Sequence, residues 1–518
     1  MNIATFVPSI PASLSERLIW RDNSFHASEE LKGDNELDTL FAQCARELDV
    51  IVVPCIWYAP RAFEKKFGMR FNSKEEVNNA TVENIVKLLK TARELKASDI
   101  HITYWGQYTS IEFRILGLLR PYKTLSGPEG MELISAFFQS EISQSESNFT
   151  PFEQYDARIA DRKFLPEDVF AIRLHSGPIQ SPYIPEPGVF VAIRLLFDAT
   201  SAQGTLEQRL ASLGYSPEQQ YLIRMLTERS GLSIIAGATG HGKSTVLKNI
   251  MESLIEQNPT KNYMTMEDPP EFAIRSAKQR VIVTKSNSEN ERKLQLVSAN
   301  ASLLRSDPDV LMIGEIRYLE MAFAAIEAAM TGHGVWTTLH ASSAFGILSR
   351  LRGLGVKLED LYEDNVLNGL VYQRLMPILC PHCKKPLDIT AVSPQLRQRL
   401  EQIFPSELDN IRVKGPGCSH CGGMGLSGLQ VVAEVVPINI ELITLLREKT
   451  IREAQHYWLK NMGGTTHVHH ARKRVAAGEV DPAIAEERLG TTLDHDLKWQ
   501  RSSQHDQLQC GIPTSIRH

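Results

Sequence analysis

The stretch Gly237-Ala-Thr-Gly-His-Gly-Lys-Ser-Thr245 constrains this chain more than any other. A short apolar run, Leu232-Ser-Ile-Ile-Ala236, precedes it, and Val246 to Ile255 follows with helical spacing. Strand, glycine loop, Lys-Ser and helix, in that order, make a phosphate-binding loop. Gly237, Gly240 and Gly242 let the backbone curl until successive amides point into one concavity, and the helix start adds its partial positive charge there. All of Gly237, Ala238, Thr239, Gly240, His241, Gly242, Lys243, Ser244 and Thr245 is therefore expected to contact a nucleotide. Lys243 would reach the β- and γ-phosphates, and the Ser244 hydroxyl would hold Mg²⁺. The competing reading is a glycine turn that merely opens a helix.

A length of 518 residues leaves room for three to four structural units. The formal net charge of -5 argues against a strongly basic nucleic-acid binder, so no direct nucleic-acid contact is expected. No apolar run is long enough to predict a transmembrane helix, and the start lacks the charged and apolar segments of a signal peptide. The expected location is cytoplasmic, with membrane attachment only through partners.

Residues 1–80 carry no recognisable chemistry. They hold an amphipathic helix over Glu36 to Leu48, a short strand at Val50-Ile-Val-Val53 that ends at Pro54, and two cysteines, Cys44 and Cys55, that read as small buried residues. Residues 81–200 read as an α+β domain: a helix over Val82 to Leu95, then strands at Ala97–Ile102, Ile111–Leu116, Val169–Leu174 and Val189–Leu196. The last two each carry an arginine, Arg173 and Arg194. Either these decorate a solvated strand face or they present guanidinium forks to an anion. A linker, residues 201–215, leads to a nucleotide domain at 216–357, with Ser216 as N-cap and Pro217 in the first helical turn.

In that domain short apolar strands alternate with helices, which predicts a mostly parallel sheet. Strands are expected at Asn262–Met266, Asp309–Gly314 and Val335–Leu339. Helices are expected at 289–304, 318–330 and 343–351. Ligands in such sheets bind at the C-terminal strand ends. The glycine loop, Glu267, Glu315 and His340 all fall there.

Residues 358–490 are expected to be a helical and metal-binding region, with a helix over 358–376 that stops at Pro377. Cys380-Pro-His-Cys383 and Cys418-Ser-His-Cys421 suit a four-thiolate zinc site in a reducing compartment, and a redox pair is the alternative. His382 and His420 read as exposed neighbours. His467-Val-His-His470 reads as a polar helix face, a second metal site being the alternative. Residues 491–518 read as a polar tail.

These motifs resemble those of the secretion-superfamily ATPases, specifically the tetracysteine-containing motors of type IV pilus assembly and type II secretion. The resemblance spans about residues 81–480. It rests on Ala97-Ser-Asp-Ile-His-Ile102, Asp156-Ala-Arg158, Leu213-Gly-Tyr-Ser-Pro217, the glycine loop and the acidic box Glu267-Asp-Pro-Pro-Glu271. It continues through Arg305 to Arg317, similar to an atypical Walker B segment, Thr331 to His340, similar to a histidine box, and the tetracysteine element. The resemblance implies a RecA-like ATPase domain preceded by a PAS-like α+β domain, with a small zinc-binding C-terminal element. It implies ATP, Mg²⁺ and Zn²⁺ as cofactors, a homohexameric ring and an inner-membrane platform protein as partner.

By resemblance Glu315 polarises the attacking water and Glu267 supports metal and water. His333 and His340 sense the γ-phosphate, and Arg173 and Arg194 act as arginine fingers, with Arg158 a weaker third. The implied function is to power pilin extrusion. Type II secretion and type IV secretion or conjugation are the alternatives, and a non-hydrolysing scaffold ring is the alternative of another class. The chain departs from the family pattern at His241, where a small residue is usual, at Tyr318, where an Asp is usual, at Ala157 and in its shorter N-terminal segment.

Overall fold

The computed structural model describes residues 18–21, 24–48, 53–58, 79–138, 153–183, 187–197, 204–267, 270–281 and 302–497, with positions 8, 10, 11, 14, 295 and 297–299 besides. Near the N-terminus β1 (Leu18–Arg21) pairs antiparallel with β2 (Ser24–Ser28), and β3 (Cys55–Tyr58) joins β2 in parallel. Helix α1 (Asn35–Leu48) contributes Leu37, Leu40, Cys44 and Leu48 to their shared core, so its helical spacing is satisfied by burial. The strand expected at Val50–Val53 does not form at Val53, and residues 50–52 lie outside the described residues. Pairing begins after Pro54 instead, because proline has no N–H to give a ladder, while its carbonyl accepts from Phe25 N at 2.8 Å.

The next unit has helix α2 (Asn79–Glu94), strands β4 (Ala97–Tyr104), β5 (Tyr108–Ile115) and β6 (Leu118–Ser126), helix α3 (Gly127–Phe137), and strands β7 (Tyr155–Ile159), β8 (Val169–Ile179) and β9 (Gly188–Phe197). They make an antiparallel six-stranded sheet in the order β6-β5-β4-β9-β8-β7. Ile100, Phe113, Ile172 and Ile193 face a core shared with Ile85, Leu89 and Phe137 of the helices. The alternate positions bear charge. Arg158, Arg173, Arg194, Asp99 and Arg114 stand in register across five neighbouring strands. Period-two alternation thus separates a core face from an arginine-rich face.

Two capped helices follow, α4 (Leu206–Leu213) and α5 (Pro217–Thr227). Ser216 accepts from Gln219 N while Gln219 reaches back to the Ser216 backbone, a reciprocal cap worth about 1 kcal/mol. Then come β10 (Gly231–Ala236), α6 (Lys243–Gln257), β11 (Tyr263–Glu267), β12 (Lys278–Val281), β13 (Val310–Glu315), α7 (Leu319–Met330), β14 (Gly334–Leu339), α8 (Gly346–Leu354) and β15 (Leu367–Leu379). Of the helix expected at 289–304, residues 295, 297–299 and 302–304 are helical and the rest lies outside the described residues.

The helix expected over 358–376 is not there. A single 3₁₀ turn at Leu358–Leu361 gives way to the long strand β15. β15 pairs parallel with β10 on one side and antiparallel with β18 (Leu426–Pro437) on the other. A strand covered on both faces reads as a near-continuous apolar run, which periodicity cannot tell from a buried helix. The nucleotide-domain sheet therefore runs past residue 357, in the order β12-β11-β13-β14-β10-β15-β18.

Between β15 and β18 lie the cysteine pairs, the two-residue strands β16 (Lys385–Pro386) and β17 (Arg412–Val413), and α9 (Pro394–Ile403). Helices α10 (Ile440–Glu448), α11 (Ile451–Asn461), α12 (His467–Ala476) and α13 (Pro482–Leu489) complete the chain, α12 and α13 packing on Met376 and Val432. Of the expected tail, residues 491–497 are described and Leu493 is buried. The remainder lies outside the described residues. No helix among the described residues is long and apolar enough to cross a membrane.

Candidate active site

β10 and β14 run parallel in register from Gly231↔Gly334 to Ala236↔Leu339, so the glycine loop and His340 leave the same sheet edge. β11 and β13 end there too, delivering Glu267 and Glu315. Gly240 and Gly242 hold φ of 76° and 75°, a region that side chains with a Cβ rarely adopt. Gly242 caps α6 without a side-chain bond, so the first helical N–H groups face the loop. Lys243 lies within the loop, its Nζ donating to Gly237 O at 3.0 Å and Ala238 O at 3.1 Å. Burial lowers its pKa, while Glu315 and Glu271 pull it back up.

β13 carries an irregularity between Ile313 and Glu315 that skips Gly314 in the register with β14. The Gly314 carbonyl accepts from the Thr338 hydroxyl at 3.0 Å. A bulge of this kind re-aims the next side chain. Glu315 accordingly accepts from His340 Nε2 on one oxygen and from Arg317 Nε at 2.5 Å on the other. Burial and the Lys243 ammonium lower the His340 pKa, against the opposing pull of Glu315 and of a hydrogen bond to the Gly237 backbone. A Cβ on Gly314 would meet Glu267 Cγ at 3.6 Å, so the position where an ordinary Walker B strand has Asp lies against Glu267 of the next strand. Burial raises the Glu267 pKa, opposed by donors from Gln279 Nε2 at 3.0 Å and the Thr265 hydroxyl at 2.8 Å.

The arginines divide. Arg173 crosses from β8 to the acidic box, its Nη1 lying 3.9 Å from Glu271 Oε1. Burial lowers its pKa, and Arg158, Arg317 and Arg194 act in the same direction against Glu271. Arg194 instead pairs with Asp99 at 3.0 Å on its own sheet. Arg158 lies over the Phe170 ring, 5.4 Å from its centroid. Asp268 and Pro269 of the acidic box lie outside the described residues.

His333 lies apart from the other site residues. It precedes β14, at the opposite sheet edge, where its carbonyl accepts from Gly231 N. Its Nδ1 lies 2.9 Å from Ala328 O and 3.0 Å from Thr331 Oγ1. Six strand residues separate it from His340, about 20 Å. Within one chain it does not meet the loop.

The four cysteines gather as their spacing implied, with their Sγ atoms all within 4.8 Å of one another. Cys380–Cys418, Cys383–Cys421 and Cys418–Cys421 are 3.8, 3.9 and 3.8 Å apart. That is the edge of a tetrahedron with zinc–sulfur bonds of about 2.3 Å, so the donor set fits Zn²⁺. Burial pushes the Cys421 thiol up, but N–H donors from Cys418 and Gly425 outweigh it and hold the group below its usual range. His382 and His420 are exposed, with ring centroids 4.0 Å apart. The 467–470 histidines are not an exposed polar face. His467 binds Glu434 at 2.7 Å, His469 faces Arg472 at 2.8 Å, and buried His470 accepts from Ala433 N at 3.2 Å.

Three site residues were missed at the sequence level. Arg317 lay inside the quoted Gly-Glu-Ile-Arg run, which was its signal. Tyr215 lay inside Leu213-Gly-Tyr-Ser-Pro217. Gln373, fully buried on β15, had none, because its segment read as a helix.

A mostly parallel sheet with a glycine loop, a buried lysine and a poised glutamate at one edge defines a P-loop ATPase. Residues 74–488 match the family described as type II/IV secretion system protein, and the chain belongs to that family. It is 33% identical over 354 residues to the type II secretion system protein E of Pectobacterium carotovorum subsp. carotovorum, covering 68% of this chain and 64% of that one. It is 32% identical over 373 residues to the type IV pilus assembly ATPase PilB of Acinetobacter baylyi, covering 71% and 59%. The chain thus spans about two thirds of the length of these relatives, or less. The X-ray structure of the Legionella pneumophila ATPase DotB superposes with a TM-score of 0.55 at 19% identity, over 81% of this chain and 97% of that one, a likeness of fold.

Proposed function

We propose that this chain is the ATP-hydrolysing motor of type IV pilus assembly, acting from the cytoplasmic face of the inner membrane to drive pilin extrusion. The observation that carries hydrolysis is the position of Glu315, held by His340 and Arg317 at the edge where the glycine loop and Lys243 emerge. Phosphoryl transfer to water needs charge neutralisation and a positioned water. Lys243 and the loop amides neutralise the phosphates. Glu315, oriented by its two partners, polarises the water. Arg173 closes from the neighbouring domain on the γ-phosphate side.

The Ser244 hydroxyl and the Glu267 carboxylate, both oxygen donors, would hold Mg²⁺, which would supply neutralisation of phosphate charge. Zn²⁺ on Cys380, Cys383, Cys418 and Cys421 is structural. A homohexameric ring, an inner-membrane platform protein as partner, no direct nucleic-acid contact and membrane attachment only through partners complete the reading.

Type II secretion is the second reading, favoured by relatives that bear that name at about the same identity as the pilus ATPases. Steady-state turnover of Glu315→Gln tests the first step. The expected loss in kcat is about 100-fold or more, with ATP still bound. Normal turnover would remove Glu315 from the mechanism. A cell carrying that variant is expected to lose surface pili while secreted enzymes persist; the reverse pattern selects type II secretion.

A further inference from the structure

One residue of β15 supports the glycine loop at both ends. Gly237 lies against the backbone of Gln373, where an added Cβ would sit 2.5 Å from the Gln373 carbonyl oxygen. At the loop's other end the Gln373 side chain returns, its Nε2 donating to the His241 carbonyl at 2.6 Å. Its Oε1 accepts from the Tyr215 hydroxyl at 2.5 Å. The amide orientation follows from its partners. A peptide carbonyl can only accept, so the NH₂ faces His241 and the oxygen is left for the phenol to donate to. Both residues are buried, and burial keeps the phenol protonated.

The direction of one bond sets the direction of the next. The His241 C=O and the Gly242 N–H belong to one planar trans peptide, so they point oppositely. Pulling the carbonyl down onto Gln373 turns the Gly242 N–H away from β15, toward the loop's open side. Without that hold the peptide is free to flip, since Gly242 has no side chain to resist it. Tyr215 is itself fixed. Its N–H donates to Leu210 O at 3.1 Å, and the preceding Gly214 carbonyl accepts from Arg474 Nη2 at 2.5 Å. Tyr215 lies two residues past the end of α4, the first described helix after the arginine-bearing sheet.

We infer that Tyr215 and Gln373 are positioning residues for ATP hydrolysis: they set the His241–Gly242 peptide in its phosphate-binding orientation and tie it to the helix that arrives from the N-terminal α+β domain. This rests on the reading of residues 237–245 as the phosphate site. Neither residue touches nucleotide; both act through the loop backbone.

The test uses the full chain. Tyr215→Phe removes one oxygen, and Gln373→Met keeps volume but removes donor and acceptor. Each is expected to raise KM for ATP and Kd for ADP about tenfold, the worth of one hydrogen bond, with kcat changing less than KM. The double variant is expected to match the worse single, because the two bonds form one chain. Lower thermal stability with KM and Kd unchanged in both singles, or multiplicative losses in the double, would overturn the inference. Lys243→Ala keeps the two claims apart. If it binds ADP normally, the phosphate-site reading fails. If it abolishes binding while Tyr215→Phe leaves KM and Kd unchanged, only the positioning role fails.

Discussion

Arg194 faces Asp99 across the β9–β4 pair, its Nε donating to Asp99 Oδ1 at 3.0 Å. Asp99 also serves Arg114 at 3.9 Å, so one carboxylate holds two guanidinium groups within the sheet. Arg173, one strand further, points to a different carboxylate, Glu271 of the neighbouring domain. Two arginines that look equivalent in sequence therefore differ in what they can do. Arg173→Ala is expected to lower kcat by about 100-fold or more, the order of an arginine finger, and Arg194→Ala by less than about threefold. Steady-state ATPase assays decide it, and equal losses would show that Arg194 leaves Asp99 during turnover.

His470 supplies a pH dependence. It is buried, and burial together with Arg474 and Lys473 lowers its pKa to about 3. The unfolded chain protonates it near its ordinary value of about 6.5, so below that pH the unfolded state binds the extra proton. Stability from this group is full above that value and is lost progressively as the pH falls toward 3. Between pH 7 and 5 the loss is about 2 kcal/mol. His470→Asn, which can still accept from Ala433 N, is expected to flatten the fall in melting temperature over that range.

The tetracysteine cluster predicts about one zinc per chain by metal analysis. Met424, three residues past Cys421, packs against the core of the α+β domain. Chelation, or Cys418→Ser, is expected to release the metal and to expose the segment around Met424 to proteolysis. Unchanged cleavage after complete metal loss would show that the thiolates alone shape the knuckle.

Gly214 ends α4 at φ +107°, and a Cβ there would sit 2.7 Å from Arg474 Nη2 and 2.9 Å from Val431 N. Gly214→Ala is therefore expected to destabilise the protein by about 2 kcal/mol or more, through backbone strain and overlap together. Denaturant titration measures it. A loss under about 0.5 kcal/mol would mean that β18 yields there.

Much of the site was legible without coordinates. The glycine loop, the cap at Ser216 and the four cysteines announce themselves because each is a short-range device. A left-handed glycine, a side-chain cap or a Cys-x-x-Cys turn depends on residues a few positions apart. The strand ends bearing Glu267, Glu315 and His340 were legible for a related reason, since alternating strands and helices imply a parallel sheet with one ligand edge. His333 shows the limit. It belongs to the same motif as His340, yet the strand between them carries it to the far edge.

What the sequence by itself determined was the loop, the cysteine knuckle and which edge of the sheet would carry chemistry. Only the tertiary structure decided that 367–379 is a strand, that Gln373 lies under the loop with Tyr215 behind it, that Glu315 is shared by His340 and Arg317, and that Asp99 takes Arg194 while Arg173 crosses to Glu271. Each of these turns on which strand lies beside which. That neighbour is chosen by burial of whole faces across the domain, a sum over many distant residues that no local pattern carries.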